Sequence, residues 1–154
     1  MGAFRHAIVC NSGDGTPSHA FGRRVVKVTA AETGGLIGIW EEPVPAGEGP
    51  PPHMHEREDE LFYVIEGRFR FWCGTESFEA GPNATVMLPR GVPHHFRNEG
   101  ATAGRLMIAV MPGGFEGFFF DIERESAERP DAIDAVAARY GLTFLPQEQK
   151  DAVA

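Results

Sequence analysis

The chain has 154 residues, enough for one domain with a substantial hydrophobic core. Its 14 basic and 22 acidic residues give a net charge of −8, which argues against nucleic acid and anionic membranes as partners. The two cysteines, Cys10 and Cys73, stand outside any C-x-x-C or zinc spacing, and no signal peptide or membrane span is read, so a cytoplasmic protein without a disulfide framework is expected.

Residues 5–10 read as a short edge strand and residues 11–18 as turn material. Residues 24–28, rich in β-branched side chains, read as a strand, and so do residues 36–40 after a turn at Thr33, Gly34 and Gly35. Residues 43–52 are dense in Pro and Gly, cannot be helical, and deliver an extended chain into His53. Strands are expected at 61–65, 68–73, 76–79, 85–88, 94–98 and 105–111, with Gly, Pro and Asn turns between them. Short strands at such close spacing argue for a β-sandwich or barrel.

The composition changes after Pro112. Residues 115–124 read as a helix whose aromatic cluster serves packing. Residues 131–140 carry Ile133, Val136, Ala137 and Tyr140 on one helical face, and Gly141 is placed to stop that helix. Two short helices are expected on the outside of the barrel or across its mouth. Residues 147–154 are expected to be disordered.

Residues 47–67 carry the chemistry. Successive side chains of a strand point to opposite faces, so His53 and His55 point the same way and Met54 is turned aside. Glu60 opens the next apolar run and can supply a carboxylate oxygen. A third imidazole waits within residues 89–98. Three neutral nitrogens and a carboxylate suit a divalent first-row transition metal with positions left open for chemistry. The plainer interpretation is a pair of exposed loop histidines, with Glu60 inside a solvated acidic run beside Glu56, Glu58 and Asp59.

The spacing from Gly47 through His53, His55 and Glu60 to Gly67 resembles the first motif of the cupin superfamily. Pro89, Gly91, His94 and Asn98 resemble the second. The family pattern has a Gly ahead of that Pro, where Asn83 stands here; Asn tolerates a left-handed backbone, so the turn is expected to survive. The resemblance implies an all-β cupin double-stranded β-helix, a jelly-roll barrel. Residues 1–112 would form the barrel with its N-terminal strands, and residues 113–154 a helical tail packed on it. Carried over residue by residue, it implies metal ligands at His53, His55, Glu60 and His94. Iron, manganese, nickel, copper and zinc are all compatible with that set.

Strand parity adds detail. His94, Phe96 and Asn98 share one face, which sends His95 to the surface or an interface. Glu60, Phe62 and Val64 share another, as do Phe69 and Phe71. Phe62, Val64, Phe71 and Phe96 are therefore expected as apolar walls against a small-molecule substrate. Tyr63 lies opposite Glu60, and Cys73 reads as a buried thiol. The outward Leu61, Tyr63, Ile65 and Trp72 suggest a homodimer interface.

Within the superfamily the motifs look most like the small single-domain cupins grouped with quercetin dioxygenases. That resemblance implies a metal-dependent dioxygenase acting on an aromatic or enol substrate, with Glu60 as ligand and as catalytic base. A non-oxidative cyclase, isomerase or lyase using the ion as Lewis acid is the alternative, and a binding module without turnover is a third.

Overall fold

The computed structural model describes residues 4–146, so the expected disorder of 147–154 lies outside the described residues. In chain order the elements are β1 (Thr16–Ser18), β2 (Arg24–Val28), α1 (Ala30–Thr33), β3 (Gly38–Val44), β4 (His53–His55), β5 (Asp59–Glu66) and β6 (Phe69–Cys73). There follow β7 (Glu76–Ala80), β8 (Thr85–Leu88), β9 (His94–Asn98), β10 (Gly104–Met111), α2 (Gly117–Ser126), α3 (Ile133–Arg139) and β11 (Leu142–Phe144). They build two antiparallel sheets, ordered β1-β2-β3-β10-β5-β8 and β11-β4-β9-β6-β7. The chain crosses between the sheets as it proceeds, so each strand's neighbours come from distant sequence: β3 lies beside β10, and β4 beside β9. This is the double-stranded β-helix.

The period of two sets the core. Along β5, Glu60, Phe62 and Val64 are buried while Leu61, Tyr63 and Ile65 are half-buried. On β10, Val110, Ile108 and Leu106 stand opposite Glu60, Phe62 and Val64. From the facing sheet come Phe69, Phe71 and Phe96, and Phe62 lies 5.1 Å from the Phe71 ring and 5.5 Å from the Phe96 ring. These edge-to-face contacts add specific attraction to the area they bury.

Several local expectations are corrected. Residues 5–10 form no strand, and the edge strand β1 lies instead inside the segment read as a turn. The strand expected at 36–40 runs instead from Gly38 to Val44, through Pro43. Pro43 is tolerated on the β2 side because β2 pairs with β3 only at Ile39, Trp40 and Glu41, so no donor is needed from Pro43 there. Helix α1 leads into the expected turn and was not read from the sequence: Thr29 and Glu32 form a reciprocal capping box, and Gly34 closes the helix at φ 65°. Strand β11 pairs with β4, so the C-terminal segment contributes a strand to the barrel as well as two helices.

His95 and Trp72 are also corrected. Both leave the barrel interior as parity requires, but they are register partners on β9 and β6, and their rings stack 4.4 Å apart, nearly parallel. Each covers the other, so both are buried, and Trp72 is not free for an interface. Cys73 packs against the core yet is only half-buried.

The two motif asparagines have structural explanations. Asn83 adopts φ 69° where the family has Gly, and its N–H donates to the Val64 carbonyl at 2.8 Å. Asn98 is fully buried; its amide donates to the Val44 and Thr102 carbonyls at 2.9 and 2.8 Å and accepts from the Gly100 N–H at 2.8 Å. It ties the end of β9 to the end of β3. Asn98→Ala leaves those buried groups unpaired and is expected to destabilise the protein by about 3 kcal/mol. A urea midpoint within experimental error of the wild type would contradict this.

Candidate metal centre

Strand β4 is only three residues long, but it is held on both flanks, by β9 at His53↔His94 and by β11 at His55↔Leu142 and His53↔Phe144. His53 and His55 are both buried and Met54 is turned away, as the strand period dictates. Glu60 enters from the other sheet, on β5. His53, His55, Glu60 and His94 each offer one ligand atom, and these atoms all lie within 4.8 Å of one another.

Two of the imidazoles are oriented by backbone. The Nδ1 of His53 lies 2.9 Å from the Pro51 carbonyl, and the Nδ1 of His94 lies 3.0 Å from the Val92 carbonyl. A carbonyl oxygen only accepts, so each Nδ1 donates to it, and Nε2 is the atom left to face the cluster. The His94 Nε2 is then 3.0 Å from Oε2 of Glu60, and the His55 Nε2 is 3.4 Å from the same oxygen. A proton or a metal ion between an Nε2 and a carboxylate oxygen makes such a distance favourable, and a divalent ion can take the proton's place. The donor set therefore fits a divalent transition ion.

The third imidazole has a partner that the charge-run interpretation missed. Glu58 is buried at 6% exposure, and its Oε2 lies 3.6 Å from the Nδ1 of His55. Neither atom has another hydrogen-bond partner, so each is the other's nearest polar neighbour given by the fold. Sequence parity alone could not single it out, because Glu56 has the same parity and is exposed. Glu58→Gln is expected to lower metal affinity by about 10- to 100-fold while leaving the ligand set intact. Equal affinity in a competition titration against a chelator would contradict it.

The protonation pattern follows from burial and proximity. Burial, reinforced by His94 and His55, pushes the His53 imidazole down to about 3. Burial by itself would raise Glu60, but His55 and the contact with His94 outweigh it, with His53 adding a smaller effect, and hold the carboxyl at about 2. Burial works to lower His55, and Glu60 and Glu58 together raise it instead. His53 stays neutral in the fold between its ordinary 6.5 and about 3, while the unfolded chain takes up a proton, so stability falls as pH falls through that window. Glu60 adds the same sign below its ordinary 4.5. His55 acts at the other end: its contribution is present below its ordinary 6.5 and is lost as pH rises through the raised value. His53 alone would cost the metal-free protein roughly 3 kcal/mol between neutral pH and pH ~4, and His55 offsets part of that, so a smaller net loss is expected. Calorimetry showing a flat midpoint over that range would contradict a neutral, buried His53.

The cluster opens onto a cavity of about 670 Å³, in the range of small-molecule sites. His53, His55 and Glu60 line it beside Trp40, Phe96, Phe118 and Phe119. Of the four expected walls, Phe96 lines the cavity, while Phe62, Val64 and Phe71 lie in the fully buried core next to it. The cluster at 115–119, read as packing, does line it: Phe115 packs edge-on against His55 at 4.4 Å, and Trp40 meets Phe119 at 5.1 Å. The C-terminal helices thus close the mouth of the barrel.

Comparison with known proteins agrees with this geometry. The family model described as "Cupin domain" matches residues 40–111. A polyketide synthase, CurC of Streptomyces cyaneus, is 31% identical over 85 residues, 55% of this chain and 54% of that protein. A quercetin 2,3-dioxygenase of Aspergillus japonicus is 32% identical over 76 residues, 45% of this chain and 21% of that protein. The chain spans about half the length of the first curated relatives it matches. Among solved structures, a predicted oxalate decarboxylase of Thermotoga maritima superposes with TM-score 0.61 at 18% identity, covering 68% of this chain and 98% of that one. The structure of KdgF from Halomonas sp. gives TM-score 0.55 at 18% identity, covering 62% and 82%. These two likenesses concern the fold alone. Among the described residues no helix is long and apolar enough to cross a membrane. With both motifs in place, four clustered side chains and a double-stranded β-helix around them, the chain carries a cupin domain over residues 40–111.

Proposed function

We propose that this protein is a metal-dependent dioxygenase acting on a small aromatic or enol substrate held in the cavity. The observation that carries the reading is a cluster of three imidazoles and one carboxylate opening onto a space walled by aromatic rings. His53, His55, His94 and Glu60 are the ligands. A divalent transition ion held there supplies redox or Lewis-acid chemistry. Glu60 is assigned first as ligand, because a general base works best with a pKa near the operating pH and this carboxyl sits at about 2. Phe96, Phe118 and Phe119 orient a flat substrate and, with Phe115 over His55, keep water from the cluster.

The partial likeness to a quercetin 2,3-dioxygenase supports this reading. The partial likeness to a polyketide synthase favours a second one, in which the same residues serve a non-oxidative cyclisation or isomerisation of a related substrate. The two are separated by a substrate screen with defined metals in air and under strict anaerobiosis. The dioxygenase reading expects oxygen uptake in step with turnover; full conversion without oxygen overturns it in favour of the second.

We also propose that two copies pair through the outer face of the first sheet. Half-buried Leu61, Tyr63 and Ile65 stand there, and Met87, the register partner of Leu61, is 55% exposed. Light scattering on a Met87→Glu variant tests it, and an unchanged mass would overturn it. We place the protein in the cytoplasm, where two free cysteines are ordinary.

A further inference from the structure

The cavity holds a second polar feature, separate from the histidine cluster, that no step above uses. Arg24, the first residue of β2, lines the cavity from the opposite sheet and is only 6% exposed. Its guanidinium lies over the Phe119 ring, 3.8 Å from the centroid. A guanidinium has five N–H donors. Here Nη2 reaches Oε2 of Glu42 and the Phe21 carbonyl, each at 3.4 Å, at the long end of useful contact. The buried Nε has no hydrogen-bond partner.

A buried guanidinium with so little satisfied carries an unmet desolvation penalty, and a bound acceptor with negative charge would offset it. Glu42 meets the need poorly. Burial pushes its carboxyl up, and although Arg24 draws it down, the charge of Glu60 in the same cavity pushes it up again. Apolar walls of the same cavity include Trp40, Phe118, Phe119 and Ile108. An arginine in such surroundings is suited to bind a planar oxygen acid in its fork while a ring stacks beside it.

We propose that Arg24 is a specificity-determining residue of this cavity, its guanidinium receiving an acidic oxygen, carboxylate or phenolate, on an aromatic ligand. The inference rests on the reading of the cavity as a small-molecule site and narrows the substrate class to aromatic acids or phenols. It concerns binding and does not depend on which reaction follows. Glu42 is the internal competitor for the same guanidinium: it keeps Arg24 partly paired until a ligand arrives.

The probes are 2-naphthoate and its uncharged analogue 2-methylnaphthalene, titrated calorimetrically into the full chain. Wild type is expected to bind 2-naphthoate at least about tenfold more tightly, equivalent to about 1.4 kcal/mol. Arg24→Gln should erase that preference, and Arg24→Lys, which keeps the charge and loses the fork, should retain part of it. Glu42→Gln should strengthen naphthoate binding several-fold, a direction that loss of a merely structural ion pair would not produce and one that decides the matter if Arg24→Gln fails to fold. His94→Ala, unable to recruit the carboxylate through a metal, should keep the Arg24-dependent preference. The proposal is overturned if neither probe binds, if Arg24→Gln retains the preference, if Glu42→Gln weakens naphthoate binding, or if His94→Ala abolishes the preference. A preference that tracks Arg24 in a protein that consumes no oxygen would leave this inference standing and remove the dioxygenase reading; oxygen uptake without that preference would do the reverse.

Discussion

His94→Ala protein is expected to fold and to fail to retain metal. His94 stands at the centre of the cluster, its ring 4.6 Å from that of His53 and 5.6 Å from that of His55, with Nε2 3.0 Å from Glu60. Losing an outer partner of a ligand lowers affinity by about 10- to 100-fold, and losing a ligand of four should exceed that. The fold should tolerate the change. Strand β9 keeps its pairing with β6 along its whole length through backbone groups, and a neutral cavity replaces a buried polar ring. A destabilisation of about 1–2 kcal/mol is expected, small beside the loss of the ion. Elemental analysis of protein purified without chelators or affinity nickel, with circular dichroism alongside, checks both halves. A folded His94→Ala variant holding stoichiometric metal would mean that the ligands are other residues.

The largest effect on stability is expected from a residue with no side chain. Gly49 lies in the segment that straps the cavity to β9, where the Gly47 N–H donates to the Asn98 carbonyl and the Asn98 N–H to the Glu48 carbonyl, both at 2.8 Å. A Cβ at position 49 would fall 1.8 Å from the carbonyl oxygen of Phe96 and 3.1 Å from the Cα of Arg97. Those neighbours are backbone and cannot rotate away. Gly49→Ala must therefore lift the strap from the strand, losing two backbone hydrogen bonds at about 1 kcal/mol each and adding about 1–3 kcal/mol of overpacking. A fall in thermal midpoint of about 10 °C is expected for a chain of this size. Gly81→Ala is the control, since nothing lies within 4 Å of its added Cβ. Equal midpoints for the two variants would show that the strap yields more easily than its contacts imply. Gly49 and Phe96 both line the cavity, so the same variant should also weaken ligand binding.

Much of the barrel was readable because period-two burial is a local property of the chain. The strands at 85–88 and 94–98 fall on the expected residues, and those at 61–65 and 105–111 grow only at their ends. The four clustered side chains were readable for the same reason: motif spacing fixes how many residues separate two side chains on one strand face. What was misread depended on partners far along the chain. Residues 5–10 have strand composition and join no sheet; residues 142–144 have little signal and pair with β4. Glu58 looked like one more solvated acid until His55 stood 3.6 Å away. Phe115, Phe118 and Phe119 looked like packing and prove to wall the cavity as well.

The sequence by itself determined the cupin motifs, the strand parity of His53, His55, Glu60 and His94, and the left-handed turn at Asn83, because each depends on a handful of adjacent residues. Only the tertiary structure decided which aromatic rings face the cluster, that His95 and Trp72 cover one another, and that Arg24 on β2 looks into the same cavity as the histidines on β4. Those relations join residues from strands that the chain order keeps apart. A β-helix brings them together through sheet pairing and facing, a geometry no local stretch of sequence encodes.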